Sequence, residues 1–302
     1  MRNFVLILLW SLSTACMAGD KLVVVLDWFM NPNHAPLFVA ESQGYFRDQG
    51  LDVEMIGPAD PDDPVKFVAA KKADIAITYQ PQYLMQVDQG LPLKEIGVLI
   101  DKPLNCLTVL ASSPIKSIAD LKGKKIGTSS NGMNNVMLST MLAHHGLSLR
   151  DVTVINMHYD LTQALLTQRV DAVTGMMRNF EVTQMRLLGK PGRVFYPERE
   201  GMPGYAELIF VAHKDAASQD KMRRFLIAVK AGEVYLQAHP EATWEAFAKA
   251  HPENNNVLNH TAWRDTLPYF AKDPSVIAKK PTLRFAEYMK AHKMIRNYEQ
   301  IN

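Results

Sequence analysis

The 302-residue sequence contains only two cysteines, Cys16 and Cys106, and has a formal net charge of only +2. If Cys16 leaves with an N-terminal leader, no intramolecular disulfide can form, and cysteine-based zinc frameworks are excluded. The weak net charge excludes the overall field that attracts nucleic acids, so the partner is expected to be a small molecule. Beyond the leader, no apolar run reaches the ~20 residues that a transmembrane helix requires.

Common enzyme motifs are also missing from the sequence. There is no GxSxG, HExxH, GxGxxG or paired-cysteine pattern. His144 and His145 are adjacent at the end of a predicted helix, so their side chains point apart. Cys106 lies in the apolar run "NCLTVLAS" and is interpreted as a small buried hydrophobic residue rather than a nucleophile. The sequence therefore carries only weak signals for an enzyme, and no cofactor is expected.

Residues 1–18 have the pattern of a secretory signal peptide. Residues 1–3 supply a positive start, residues 4–12 an apolar run too short to span a bilayer, and residues 13–18 a stretch of small residues. Two outcomes compete, namely cleavage after Ala18 and lipid attachment at Cys16. A lipidated cysteine usually has a leucine three residues before it, and Ser13 occupies that position relative to Cys16. This departure favours cleavage after Ala18 and a soluble exported protein.

Short β-rich runs alternate with helical patterns, which predicts an α/β fold with parallel-dominated sheets flanked by helices. Strands are predicted over 21–28, 52–57, 74–79 and 94–100, with helices over 34–50, 64–72 and 80–89 between them. A second series has a short helix and a strand within 117–130 and further strands over 152–157 and 171–177, and a helical region begins near Ser218. The phrases "KKADIAIT" and "QRVDAVTG" occupy equivalent places in the two series, so two similar lobes are expected.

Two strand-like connections, 105–112 and 206–213, are predicted to cross between the lobes. The expected division is a signal peptide over 1–18, a first lobe over 19–108 that resumes over 207–302, and a second lobe over 109–206. Since parallel sheets bind ligands beyond the carboxyl ends of their strands, the pocket is expected between the lobes. The predicted ligand-binding residues are Trp28, Asn31, His34, Tyr79, Gln80, Ser129, Asn131, Asn179, Glu181, Tyr205 and Glu207.

Several of these residues have an ordinary structural interpretation beside the functional one. Trp28 is either a core residue or a platform for a flat ring, and His34 is either a surface residue or a pocket wall. Asn33 could be a helix N-cap. The stretch 126–137, "IGTSSNGMNNVM", is either a strand-to-helix turn or a set of backbone donors for an anion or carbonyl.

Glu207 is the sharpest candidate because a carboxylate that begins an apolar run must lie at the surface or meet a partner. A flat amino-heterocycle offers such a partner. The carboxylate would accept from an exocyclic amine, while a protonated ring nitrogen donates to the other oxygen. Tyr205 lies on the same face of an extended segment.

Four stretches, "LDWFMNPNHAPLFVAESQGYFRDQGLDVEM", "KKADIAIT", "SIADLKGKKIGTSS" and "QRVDAVTG", resemble the thiamine-pyrimidine-related branch of type II periplasmic binding proteins. The resemblance spans about residues 21–290. It implies a two-lobed, monomeric periplasmic receptor that closes on a 4-amino-2-methylpyrimidine, such as the N-formyl aminomethyl-pyrimidine of thiamine salvage. It also implies delivery of that ligand to an ABC permease in the inner membrane.

The same resemblance implies ligand-binding roles for particular residues. The phrase Tyr205-Ala206-Glu207-Leu208 matches a family phrase whose carboxylate pairs with the aminopyrimidine edge, and Phe180-Glu181 matches an aromatic residue followed by glutamate. The branch also contains thiamine-pyrimidine synthases. In this chain Thr78 stands where their lysine aligns, Gln82 where their histidine aligns, and "GMPGYAELIF" replaces their cysteine cluster. A receptor of the same fold for riboflavin or an organic sulfonate is the other alternative.

Overall fold

The computed structural model describes residues 19–129 and 131–297, with the backbone alone at 131–134 and 279–280. The predicted signal peptide and Cys16 lie outside the described residues. The strands are β1 Asp20–Val25, β2 Leu51–Ile56, β3 Ile75–Thr78, β4 Leu93–Ile100, β5 Asn105–Leu110, β6 Lys125–Thr128, β7 Thr153–Asn156, β8 Ala172–Met177, β9 Gly192–Phe195 and β10 Leu208–His213. The helices are α1 Ala35–Ser42, α2 Tyr45–Asp48, α3 Pro64–Ala69, α4 Gln80–Asp88, α5 Asn131–His144, α6 Leu161–Leu166, α7 Glu181–Leu187, α8 Asp220–Ala238, α9 Pro240–Ala250, α10 Val257–Thr266 and α11 Lys279–Ala291.

The first sheet has the strand order β2-β1-β3-β10-β4. β1 is parallel to β2 and β3, whereas β10 is antiparallel to β3 and β4. All six residues of β10 are buried, as expected for a strand flanked on both sides and covered on both faces. Along the free side of β4, Val98 N donates to Pro274 O and Ala271 N donates to Leu99 O, so the 269–274 segment covers this sheet edge.

The second sheet repeats this arrangement with the order β7-β6-β8-β5-β9. β6 is parallel to β7 and β8, and β5 is antiparallel to β8 and β9. Each sheet therefore has a parallel set of strands and one antiparallel strand that enters from the other half of the chain. The predicted α/β alternation and two-lobed architecture are confirmed, while β9 and α7 were not predicted.

The chain passes between the sheets in two short segments, 101–104 and 196–207, called the hinge passages below. β5 pairs only within the second sheet and β10 only within the first, so the strands themselves do not bridge the lobes. The sequence-derived boundary after residue 108 falls inside β5, and the first passage ends before Asn105. The bridging segments are thus the residues just ahead of the two strands that the sequence pattern had singled out.

The helices of the first lobe pack closely around its sheet. At Gly232 on α8, an added Cβ would lie 2.3 Å from Pro36 O, so only glycine permits this approach between α8 and α1. Phe38, Phe247 and Trp263 form an aromatic cluster beside this contact, with ring centroids 4.9–6.4 Å apart. None of the helices among the described residues combines the length and apolar character needed to cross a membrane.

Candidate functional site

A cavity of about 220 Å³ lies between the two sheets, at the carboxyl ends of β1, β3 and β8, and is called the cleft cavity. Its walls come from both lobes, because Trp28 and Tyr79 follow strands of the first sheet while Met177 and Glu181 follow a strand of the second. Its lining residues are Asp27, Trp28, Phe29, Met30, Asn31, Asn33, Tyr79, Gly175, Met177, Phe180, Glu181, Asn254 and Asn259.

One wall of the cleft cavity is the turn between β1 and α1. The Asn31 side chain accepts from Asn33 N at 2.8 Å and caps a 3-10 turn that begins at Pro32. Asn31 N donates to His34 Nδ1 at 3.2 Å, so the opposite ring nitrogen, Nε2, carries the hydrogen and donates to Asp27 Oδ1 at 2.9 Å. His34 is fully buried and does not line the cavity, so its effect on the cavity passes through Asp27.

Tyr79 closes this hydrogen-bonded chain. Its hydroxyl donates to Asp27 Oδ2 at 3.2 Å, so both oxygens of the Asp27 carboxylate have protein partners. Burial raises the pKa of Tyr79 well above its ordinary value, and the charges of Asp27 and Glu207 add to that rise. The phenol therefore stays protonated and holds the carboxylate in place.

Glu181 supplies the carboxylate on the opposite wall of the cleft cavity. It is the first residue of α7, and its Oε2 accepts from Met177 N at 2.8 Å. Burial raises the pKa of Glu181 to about 7, partly offset by that backbone hydrogen bond. Glu181 lies deep in the protein but retains some exposed surface because it faces the cavity.

Asn259 adds a further acceptor to the same cavity. Its amide nitrogen donates to Asn256 Oδ1 at 3.2 Å, whereas its Oδ1 is buried and has no protein partner. A buried acceptor without a donor is costly unless a ligand or water supplies one. The cleft cavity therefore favours a ligand that carries N–H groups.

Glu207 is fully buried behind the cleft cavity and is not among its lining residues. Its Oε2 accepts from Leu104 N at 2.5 Å, Asn105 N at 2.8 Å and the Tyr205 hydroxyl at 3.0 Å. Its Oε1 has no partner. Burial raises the pKa of Glu207 to about 7, opposed by the Asn105 and Leu104 amides. The carboxyl group thus ties the first hinge passage to the second.

Arg178 clamps the same region from the second lobe. Its Nε donates to Leu104 O at 3.2 Å, and its two terminal nitrogens donate to the Glu198 carboxylate at 2.7 and 3.0 Å. Its guanidinium also lies 4.4 Å from the centre of the Tyr196 ring. Leu104 is therefore held through its N–H by Glu207 and through its carbonyl by Arg178.

Two sets of contacts join the lobes across the mouth of the cleft. Tyr159, between β7 and α6, packs against Trp28 and Phe29 with ring centroids 4.4 and 4.6 Å apart, and its hydroxyl donates to Pro58 O at 2.9 Å. Deeper in, the Asn179 amide nitrogen donates to Asn33 Oδ1 at 2.7 Å and to Thr266 Oγ1 at 2.6 Å. These contacts show that the lobes are closed against each other.

The residues predicted from sequence occupy different places. Trp28, Asn31, Tyr79 and Glu181 line the cleft cavity; Gln80 and Tyr205 line a different cavity behind the hinge passages. Four more are buried and line neither cavity, namely His34, Ser129, Asn179 and Glu207. The side chain of Asn131 is not among those that the structure describes. Their role in binding stays a prediction. Sequence reasoning missed Tyr159, Asn259 and Arg178, for which no local pattern gives a signal.

A two-sheet α/β fold with a cavity at facing strand ends defines the class as the bilobal fold of periplasmic binding proteins. Among solved structures, the chain is similar to the alkanesulfonate-binding protein SsuA from Xanthomonas axonopodis pv. citri, with a TM-score of 0.72 and 16% identity. That match covers 93% of this chain and 96% of the other.

A family model described as NMT1/THI5 like matches residues 31–243, and the chain belongs to this family. It is 44% identical over 295 residues to the "Putative thiamine biosynthesis protein" of Haemophilus influenzae, and the alignment covers 97% of this chain and 94% of the relative. It is 31% identical over 197 residues to the formylaminopyrimidine-binding protein of Halalkalibacterium halodurans, covering 65% and 60% of the two chains. It is 25% identical over 267 residues to the 4-amino-5-hydroxymethyl-2-methylpyrimidine phosphate synthase THI11 of Saccharomyces cerevisiae, covering 84% and 78%.

Proposed function

We propose that this protein is the solute-binding component of an ABC importer and captures a thiamine-precursor aminopyrimidine in the periplasm for salvage uptake. The observation that carries the proposal is the Glu181 carboxylate in the aromatic-walled cleft cavity of about 220 Å³. The binding fold and the formylaminopyrimidine-binding relative support it. Delivery to a permease in the inner membrane, and action as a monomer, belong to the same proposal.

The chemistry of the cleft cavity matches a flat heterocycle that carries an amine. Trp28 and Phe180 offer aromatic surface, which packs well on a planar ring. Glu181 can accept N–H groups from the amidine-like edge of an aminopyrimidine, in the strong arrangement that charge-assisted pairs adopt. The free Oδ1 of Asn259 can accept a further N–H.

The role predicted for Tyr205 and Glu207 at the ring edge becomes an indirect one in this proposal. Glu207 lies behind the cavity wall and holds the hinge passages through Oε2. Its charge still acts on Tyr79, which lines the cleft cavity. We therefore assign the direct carboxylate contact to Glu181 and treat Glu207 as the residue that positions the hinge.

Calorimetric titration of the mature protein with N-formyl aminomethyl-pyrimidine tests the proposal. We expect saturable binding that weakens at least about tenfold in Glu181→Gln, because a hydrogen bond to a charged group contributes about 1.5–3 kcal/mol. Glu245→Gln, the same change at an exposed position on α9, should bind like the unchanged protein. Absence of heat with the aminopyrimidine at high micromolar concentration would refute the ligand assignment.

A sulfonate or another anionic solute is the main competing ligand class. An anion requires arginine, lysine or a ring of N–H donors. Among the described residues that line the cleft cavity there is no arginine or lysine, whereas Asp27 and Glu181 are both present. Native mass spectrometry of the ligand that co-purifies with the protein distinguishes the two classes, since the aminopyrimidine and a sulfonate differ in mass.

An enzyme of the synthase type is the alternative that the Saccharomyces cerevisiae relative raises. The lysine that holds pyridoxal phosphate in such synthases would align with Thr78, and the histidine that they consume would align with Gln82. Thr78 is a buried residue of β3 and has no amine, and Gln82 is buried with its amide donating to Asp62. The residues present therefore do not fit that cofactor, and no reaction is proposed through it.

A further inference from the structure

A second and larger cavity, of about 1060 Å³, lies on the far side of the hinge from the cleft and is called the hinge cavity. Both hinge passages form part of its wall, through Asp101–Pro103 and Gly204–Ala206. The rest of its wall comes from α8, the start of α11, the segment between α10 and α11, Gln80 of α4 and Val98 of β4. Its volume reaches the upper range of clefts that hold small organic molecules.

The hinge cavity has mainly apolar walls, and of its charged lining residues, Asp101, Lys102, Glu233, Lys272 and Asp273, only Glu233 is buried. Val98, Phe270 and Val276 are among its apolar lining residues. Glu233, on α8, also lines it and is only 5% exposed. Burial raises the pKa of Glu233, while a hydrogen bond from Gln237 and the charge of Lys272 oppose the rise. A carboxylate placed in an apolar cavity favours a cationic group as its partner.

The hinge cavity and the cleft cavity lie back to back. Tyr79 lines the cleft cavity, and the next residue, Gln80, lines the hinge cavity. The Gln80 Oε1 accepts from Ala206 N at 3.1 Å in the second hinge passage. Tyr205, another wall residue of the hinge cavity, donates to Glu207, which holds Leu104 and Asn105. A molecule in the hinge cavity would thus touch groups that fix both passages.

We propose that the hinge cavity is a second binding site, for an amphiphilic organic ammonium ion whose charged head meets Glu233 and whose apolar body covers Val98 and Phe270. Because its walls include both hinge passages, an occupant that fits the closed geometry stabilises the closed lobes. Linkage then requires that the occupant and the cleft ligand change each other's affinity by the same factor. This site is separate from the aminopyrimidine site and does not depend on it.

Binding of n-hexylammonium to the mature protein, measured by calorimetry, tests the site directly, with hexanoate and 1-hexanol as probes of equal apolar length. We expect hexylammonium to bind more tightly than either probe, and Glu233→Gln to weaken it about tenfold or more, as for loss of a charge-assisted hydrogen bond. Glu245→Gln should leave the affinity unchanged. Val276→Trp, which places a large ring at the exposed rim of the cavity, should also weaken binding without altering the buried carboxylate.

Hydrogen exchange of the Leu104 and Asn105 amides supplies a readout that needs no cleft ligand. Saturation with hexylammonium should slow exchange in the peptide that contains these amides, and the effect should disappear in Glu233→Gln. Equal affinity for hexylammonium, hexanoate and 1-hexanol would overturn the proposal. So would unchanged binding in Glu233→Gln, or a solution dimer in which a second copy covers the hinge cavity. Failure of the aminopyrimidine to bind would leave these results unaffected.

Discussion

Glu207 joins two segments that are 103 residues apart in sequence, through a single carboxylate oxygen that accepts three hydrogen bonds. Two of the donors are backbone N–H groups, that of Leu104 in the first hinge passage and that of Asn105 at the start of β5. A side chain that only lined a pocket could be shortened at little cost to stability. Loss of the Glu207 side chain should cost more stability, because it would leave buried N–H donors without an acceptor.

We expect Glu207→Ala to lower the free energy of unfolding by about 3 kcal/mol or more, since it leaves two buried N–H groups unsatisfied and opens a void. Glu207→Gln keeps an acceptor oxygen and the side-chain volume, and its cost should stay below about 1.5 kcal/mol. Urea unfolding followed by circular dichroism measures both. Equal losses in the two variants would show that the hydrogen bonds at Oε2 do not hold the hinge.

At the scale of the single residue, sequence reasoning placed Trp28, Tyr79 and Glu181 near the carboxyl ends of strands, and the structure brings all three to one cavity, although β1 ends at Val25 and not at the predicted residue 28. It did not separate the roles of Glu181 and Glu207, because both are glutamates beside apolar strands. The difference arises from which groups approach each carboxylate in three dimensions. Glu207 meets Leu104 and Asn105 from a distant part of the chain, and no local pattern records that meeting.

The turn between β7 and α6 is the element that closes the cleft. His158 adopts φ 51°, a left-handed conformation that is uncommon for a residue with a side chain, and Tyr159 follows it. Tyr159 contacts Trp28 and Phe29 of the opposite lobe and donates to Pro58 O. The turn thus presents one aromatic ring across the mouth of the cavity.

Tyr159→Ala should raise the ratio of open to closed molecules in the unliganded protein by about tenfold or more. The reason is that each aromatic contact contributes about 0.5–1.5 kcal/mol beyond area burial. Tyr159→Phe keeps the ring contacts, loses the hydrogen bond to Pro58 and should have a smaller effect. The radius of gyration from small-angle X-ray scattering reports the shift. Tyr45→Ala, a tyrosine of α2 outside the cleft, serves as the matched control, and a similar change there would argue against a closing role for Tyr159.

The elements themselves were largely predictable, and their relations across the lobes were not. Apolar runs and helical spacing predicted β1 to β8 and β10, since periodicity is a local property. Strand β9 has four residues in "GRVF" with little alternation, so it gave no signal. The pairings of Tyr159 with Trp28 and of Asn179 with Asn33 depend on the angle between lobes, which no local stretch encodes.

For the molecule as a whole, three buried carboxyl groups share one electrostatic property. Burial raises the pKa of Glu95, Glu181 and Glu207 to about 7 from an ordinary value of 4.5. A carboxyl group whose pKa is higher in the folded state binds its proton more tightly there. Its contribution to stability is complete below the unfolded pKa and is lost as pH rises through the folded pKa.

We therefore expect the free energy of unfolding to fall as pH rises from about 5 to about 8, each group adding a slope of up to about 1.4 kcal/mol per pH unit. Urea unfolding at several pH values measures the slope. Glu95→Gln should flatten it, because it removes one of the three titrating carboxyl groups, at a position that lines neither cavity. Glu245→Gln should not change it, and an identical slope in Glu95→Gln would contradict the assignment.

Cys106 lies fully buried in β5, where its Sγ donates to Met176 O at 3.1 Å and burial raises the pKa of its thiol to about 12. A thiol reagent can reach it only after β5 has separated from its neighbours in the second sheet. The rate at which Cys106 is modified therefore reports transient unfolding of the second lobe. Comparison of this rate with the global unfolding rate would show whether the two lobes unfold as one cooperative unit or one after the other.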